Sequence, residues 1–183
     1  MTSIRKLCLG FIFILCCISG VACRPEPRVY RSLTPQEIQQ FIADQNLTPV
    51  AVEHTQDGTL ILFDNGQSRG YAAVSVDQDG KIVGNTLTAS GGKKPSIKYQ
   101  PTPDPSKVAS VFSIGDECIG IIIHDTEIAT RISSVEIIFK DGTQATVLTH
   151  GQRGVVVHDP AAIGWNIVIL YTASGEEIYR ETW

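Results

Sequence analysis

Residues 51–83 read AVEHTQDGTLILFDNGQSRGYAAVSVDQDGKIV, and the rhythm of that stretch sets the fold class. Apolar positions fall into short runs around it: Val50 and Val52; Leu60, Ile61, Leu62 and Phe63; Tyr71, Ala73, Val74 and Val76; Ile82, Val83, Leu87 and Ala89. The runs are separated by Gln56-Asp57-Gly58, Asp64-Asn65-Gly66 and Asp77-Gln78-Asp79-Gly80. Asn-Gly and Asp-Gly pairs accept positive φ at low cost, so they close tight hairpins. Their return at intervals of roughly ten residues predicts an antiparallel meander.

Upstream, the period changes from two to that of a helix. Thr34-Pro35-Gln36-Glu37 is a capping box with proline at the first helical position. Ile38, Phe41 and Ile42 follow at helical spacing, with Leu47 closing the stripe. A helix is expected over residues 35–45, with its apolar face on the meander.

Downstream, residues 90–107 hold Gly91, Gly92, Pro95, Pro101, Pro103 and Pro105. Such a segment cannot supply a central strand or a helix interior. It is expected as a linker dividing a small α+β module (34–89) from an all-β module (108–183). The second module contains seven strand candidates: 108–114, 118–123, 132–139, 144–149, 154–157, 165–171 and 177–182. The expected fold is therefore mainly β with one N-terminal helix. An antiparallel meander is followed by an immunoglobulin-like β-sandwich or small barrel. The Cys…Trp…Cys spacing of antibody domains is absent.

The first 22 residues differ from the rest. Arg5 and Lys6 precede an uncharged apolar run, Leu7 to Ile18, and small residues lead to Cys23. The run is shorter than the roughly 18 residues of a permanent membrane span. Positive start, apolar centre and small residues read as an export signal. Gly20-Val21-Ala22-Cys23 resembles the lipobox of bacterial lipoproteins, although Gly20 stands where that family prefers leucine. The resemblance implies a diacylglyceryl group on the Cys23 thiol and cleavage just before it. It covers residues 1–23 alone. Gly20 and Ala22 also satisfy the small-x-small rule for ordinary cleavage after Ala22, without lipid.

The expected organisation is a signal peptide (1–22), a lipid-anchored tether (23–33), then the two modules and their linker. The expected address is the extracytoplasmic face of a cell membrane. The partners would be that membrane, through lipid on Cys23, and an envelope protein. The full chain carries 15 Lys and Arg against 19 Asp and Glu. Losing Arg5 and Lys6 with the leader would make the mature part more acidic still, which disfavours nucleic acid as a partner. Cys8, Cys16 and Cys17 would leave with the leader and Cys23 would carry the lipid, so Cys118 would be the one free thiol and no internal disulfide could form.

Candidate chemistry is sparse. His124-Asp125 and His158-Asp159 are imidazole–carboxylate pairs, and His150 lies eight residues before His158. Together they are the candidate set for a metal-binding or metal-assisted hydrolytic site. Both pairs end strand candidates, which favours ordinary strand-end and turn roles for them. His54 has no ligand spacing to any of the set. Asp77-Gln78-Asp79-Gly80 opens like a calcium loop, but no glutamate follows where the motif needs one. Cys118 adjoins Ile119 and Ile121–Ile123, the setting of a buried, unreactive thiol. Ser113, Ser133 and Ser134 lack a nucleophile elbow. Gly91-Gly92-Lys93-Lys94 lacks phosphate-loop spacing. Trp165 is expected in the core, and Trp183 against a sheet or a partner. No cofactor is indicated. The leading expectation is a non-enzymatic binding or scaffolding lipoprotein.

Overall fold

The computed structural model describes residues 29–56, 58–84, 95–101, 107–115, 118–158 and 164–182. The leader, Cys23, Leu87, Ala89, Asp159 and Trp183 lie outside the described residues.

Helix α1 spans Pro35–Asp44. The Thr34 hydroxyl accepts from the Glu37 N–H, and the Glu37 carboxylate accepts from the Thr34 N–H at 2.8 Å. Arg31 donates to both Glu37 oxygens at 2.7 Å. That pairing, with the Thr34 N–H, lowers the Glu37 carboxyl to about 2. Residues 31–33, expected as the end of a free tether, are docked. Arg31 bridges to Val76, Ser32 Oγ lies 2.8 Å from both the Thr55 and the Gly58 carbonyl oxygens and shares its one proton between them, and Leu33 is buried. Leu33 precedes the N-cap and packs into the core beneath the helix, in the manner of a hydrophobic staple.

The meander forms a five-stranded antiparallel sheet: β1 (Pro49–Thr55), β2 (Gly58–Asp64), β3 (Ser68–Val76), β4 (Ile82–Gly84) and β5 (Ser96–Pro101). β4 and β5 share the far edge of β3, pairing with its end and its start respectively. β5 lies within the stretch expected to be linker. Among the described residues it pairs on one side only, an edge strand bounded by Pro95 and Pro101, and an edge is a position where proline is tolerated. One face of this sheet carries Ile61, Phe63, Ala72, Val74 and Val76 against Ile38, Phe41 and Leu47 of the helical side.

Residues 109–182 form two further sheets. β6 (Ala109–Ile114), β7 (Cys118–Ile123) and β10 (Gly154–His158) pair in the order β10-β7-β6. β8 (Ile132–Phe139), β9 (Gln144–Leu148), β11 (Trp165–Thr172) and β12 (Glu177–Thr182) pair in the order β12-β11-β8-β9. The chain thus crosses between sheets after β7, β9 and β10, as in an immunoglobulin-like sandwich; among the described residues the strands close no barrel. Its core joins Val111, Ile119, Ile121 and Ile123 to Val135, Ile137, Val168 and Leu170, with Trp165 packed at the margin. A six-residue helix, α2 (Thr126–Arg131), lies between β7 and β8 and was not expected from sequence. Asp125, read as a turn residue, is its N-cap and accepts from Glu127 and Ile128 N–H groups at 2.7 and 3.0 Å. Six residues are too few for hydrophobic periodicity to register.

The β10-β7-β6 sheet is buried on both faces. Its second face packs Phe112, Ile114, Cys118 and Ile122 against Leu60, Leu62, Tyr71 and Ala73 of the meander sheet. Every residue of β7 is buried. That explains its unbroken apolar sequence, CIGIII, since a strand covered on both sides has no polar face to alternate with. Gly120 and Gly154 let this seam close. A Cβ on Gly120 would stand 2.8 Å from Leu62 Cδ2, and one on Gly154 would stand 2.7 Å from Ala51 Cβ.

Candidate functional site

Side chains alternate along a strand, so the faces meeting at the seam can be followed outward to its rims. On β2 the series Leu60, Leu62 ends in Asp64; on β3 the series Ala73, Tyr71 ends in Arg69. On β6 the series Ile114, Phe112 ends in Ser110, and His124 follows Ile122 just beyond β7. The apolar seam therefore finishes at one rim in Asp64, Arg69, Ser110 and His124. Arg153, one residue before β10, completes the group.

These residues form one network. Arg69 Nε lies 3.1 Å from Asp64 Oδ2, and Arg153 Nη2 donates to the same oxygen. Gly66 N–H donates to Asp64 Oδ1 at 2.9 Å. Arg153 also donates to the Ile123 carbonyl at 3.1 Å and the His124 carbonyl at 2.9 Å. Burial pushes the Asp64 carboxyl up. The Gly66 N–H and the two guanidiniums outweigh it and hold the group below the usual aspartate value. The carboxylate stays charged and ties the meander sheet to the sandwich.

His124 Nδ1 lies 2.8 Å from the Lys107 carbonyl, and Nε2 lies 2.7 Å from Ser110 Oγ. A carbonyl only accepts, so Nδ1 carries the proton and the neutral ring accepts from the serine through Nε2. Burial, then the positive charge of Arg69, lowers the His124 pKa; the Lys107 carbonyl and Asp64 oppose this without prevailing. The folded chain therefore disfavours the imidazolium relative to the unfolded chain. The stability this provides is complete above the unfolded histidine value of about 6.5 and is lost as pH falls through the lower folded value. Urea midpoints measured from pH 7.5 to 5 are expected to decline with falling pH, and His124→Gln to flatten that decline. An equally steep decline in the variant would assign it to other groups.

The opposite rim holds a second, smaller cluster. His158 pairs with Cys118 across β10 and β7, and its Nδ1 lies 3.2 Å from the thiol sulfur. Its Nε2 lies 3.7 Å from Glu53 of β1. Cys118, flanked by apolar neighbours, is buried. The imidazole beside it was missed because the two residues lie 40 positions apart.

The described members of the candidate metal set, His124, Asp125, His150 and His158, are not brought together. His124 and His158 belong to opposite ends of β7, about 20 Å apart at the ~3.3 Å rise of a strand. Asp125 is committed to capping α2, and His150 sits exposed in the β9–β10 turn with φ of 51°. Asp159 lies outside the described residues. Among the described residues, no group of three or more His, Cys, Asp or Glu is placed to hold a metal ion. His54 is exposed on β1, opposite Thr59. The Asp77 turn is a closed hairpin in which the Asp77 carboxylate accepts from the Asp79 and Lys81 N–H groups. No helix among the described residues is long and apolar enough to cross a membrane. No protein-family model, curated protein or solved structure matches this chain.

Proposed function

We propose that the chain is an envelope lipoprotein, held to the extracytoplasmic face of a membrane by lipid on Cys23, whose β domain binds or scaffolds another envelope protein. The observation that supports a binding role is the outer edge of β9. Among the described residues this strand pairs with β8 alone, on one side. Its sequence, QATVL, contains none of the lysines or prolines with which natural proteins blunt an edge. Leu148 at its end is 60% exposed. An extended partner segment would add to such an edge through main-chain hydrogen bonds, with pockets for alternate side chains setting specificity.

The anchor and the edge are tested separately. Cys23→Ala is expected to move the chain from the membrane fraction to the soluble fraction, or to block its processing; unchanged membrane retention refutes the anchor. A photo-crosslinking residue at Thr146, exposed on β9, is expected to capture a discrete partner in intact cells. The same residue at Gln36, on the exposed side of α1, is expected to capture none. Equal labelling from both positions, or none from Thr146, removes β9 as the binding edge.

A further inference from the structure

We propose that the rim formed by Arg69 and Arg153 is a binding site for a compact oxyanion, the carboxylate or phosphate group of a small ligand. This goes beyond the membrane-anchored binding role and does not depend on β9 or on the lipid.

Two guanidiniums share one carboxylate, and His124 beside them is held toward its neutral form, so the cluster carries a surplus of one positive charge. The chain as a whole is acidic, with a formal charge of -4. A cationic rim on an acidic protein is therefore a local arrangement, not an overflow of basic composition. The surplus sits where water is partly excluded: the Arg69 side chain is 12% exposed and that of Arg153 27%. Charge in such a rim attracts a counter-charge more strongly than it would on an open surface.

The donors point the same way. Arg69 meets Asp64 through Nε alone, and among the described residues neither of its terminal nitrogens has an acceptor. Arg153 uses Nε and Nη2, which leaves Nη1 without an acceptor among the described residues. Asp64 thus fixes two planar forks around one oxygen while their outer N–H groups stay available. Guanidinium forks of this kind match the paired oxygens of a carboxylate or phosphate. Lys98 adds charge on the same face. It stands opposite Tyr71 on β5, diagonal to Arg69, and is exposed.

The test is thermal unfolding of the purified full chain in sodium phosphate, sodium acetate or sodium chloride at matched ionic strength. A saturable rise in Tm over chloride is expected with phosphate, with acetate or with both. Phosphate alone identifies a phosphoryl ligand, and acetate a carboxylate. Arg69→Gln is expected to abolish the rise. Arg69→Lys, which keeps the charge and loses the fork, is expected to weaken apparent affinity at least tenfold, and it serves if the glutamine variant fails to fold. Lys140→Gln, remote on the β8–β9 turn, is expected to change nothing. No rise over chloride, or an equal rise in the Arg69 variants, overturns the site.

Discussion

Replacing Asp64 by alanine is expected to destabilise the chain by about 3–5 kcal/mol, the range for removing one partner of a buried ion pair. The cost comes from what is left behind. Arg69 and Arg153 would remain beside each other with no counter-charge, and the Gly66 N–H would lose its acceptor. Arg153 is the more exposed of the two, so its share is reduced by solvent screening. The measurement is the free energy of urea unfolding at pH 7. A double-mutant cycle adding Arg153→Met separates pair from penalty, because removing the second charge should recover part of the loss. A loss below about 1 kcal/mol, typical of a surface pair, would mean that the latch does not join the sheets energetically.

The second large effect belongs to the seam. Gly120→Val is expected to cost at least about 1–3 kcal/mol, the range for inserting methylenes into a packed core. The new Cβ alone would stand 2.8 Å from Leu62 and 2.9 Å from Ile114 before the valine methyls are added. The informative readout is where the damage spreads. Leu60, Leu62, Tyr71 and Ala73 find their cover on the second sheet, so loosening the seam exposes them as well as β7. Amide exchange in β2 and β3 is expected to accelerate together with that of β7, within one cooperative unfolding transition. Acceleration confined to β6, β7 and β10 would show that the meander sheet and the sandwich are stable independently of each other.

Much of the fold was legible because its signals are local. Hairpin turns and period-two runs located the meander strands, and in the second half the expected 118–123, 132–139 and 177–182 coincide with β7, β8 and β12. The capping box located α1 to within a residue. Two misreadings also have local causes. β5 was hidden because prolines flank it, and only a partner on one side lets them stand there. Arg31–Leu33 looked like tether because three residues carry no periodicity; Leu33 is held by packing beneath the helix.

The candidate site was hardly legible at all. His124 and His158 were conspicuous as His-Asp pairs, yet Asp125 caps α2 and does not serve the histidine beside it. His124 answers to Ser110 and the Lys107 carbonyl, and His158 to Cys118 and Glu53. Asp64 was read only as the start of a turn, a role it does play through Gly66, while its ion pair with Arg153 spans 89 residues.

By itself, then, the order of residues determined most of the secondary structure, β5 and α2 apart, with the antiparallel hairpins and the sandwich of the second half, since backbone preference and turn chemistry act over a few neighbours. Only the tertiary structure decided that a third sheet covers that sandwich, and that a carboxylate and two guanidiniums close the joint. The physical reason is range. Packing of two apolar faces is non-directional and leaves no mark in spacing, so which face meets which, and which charges meet at the rim, is settled only when the sheets stack.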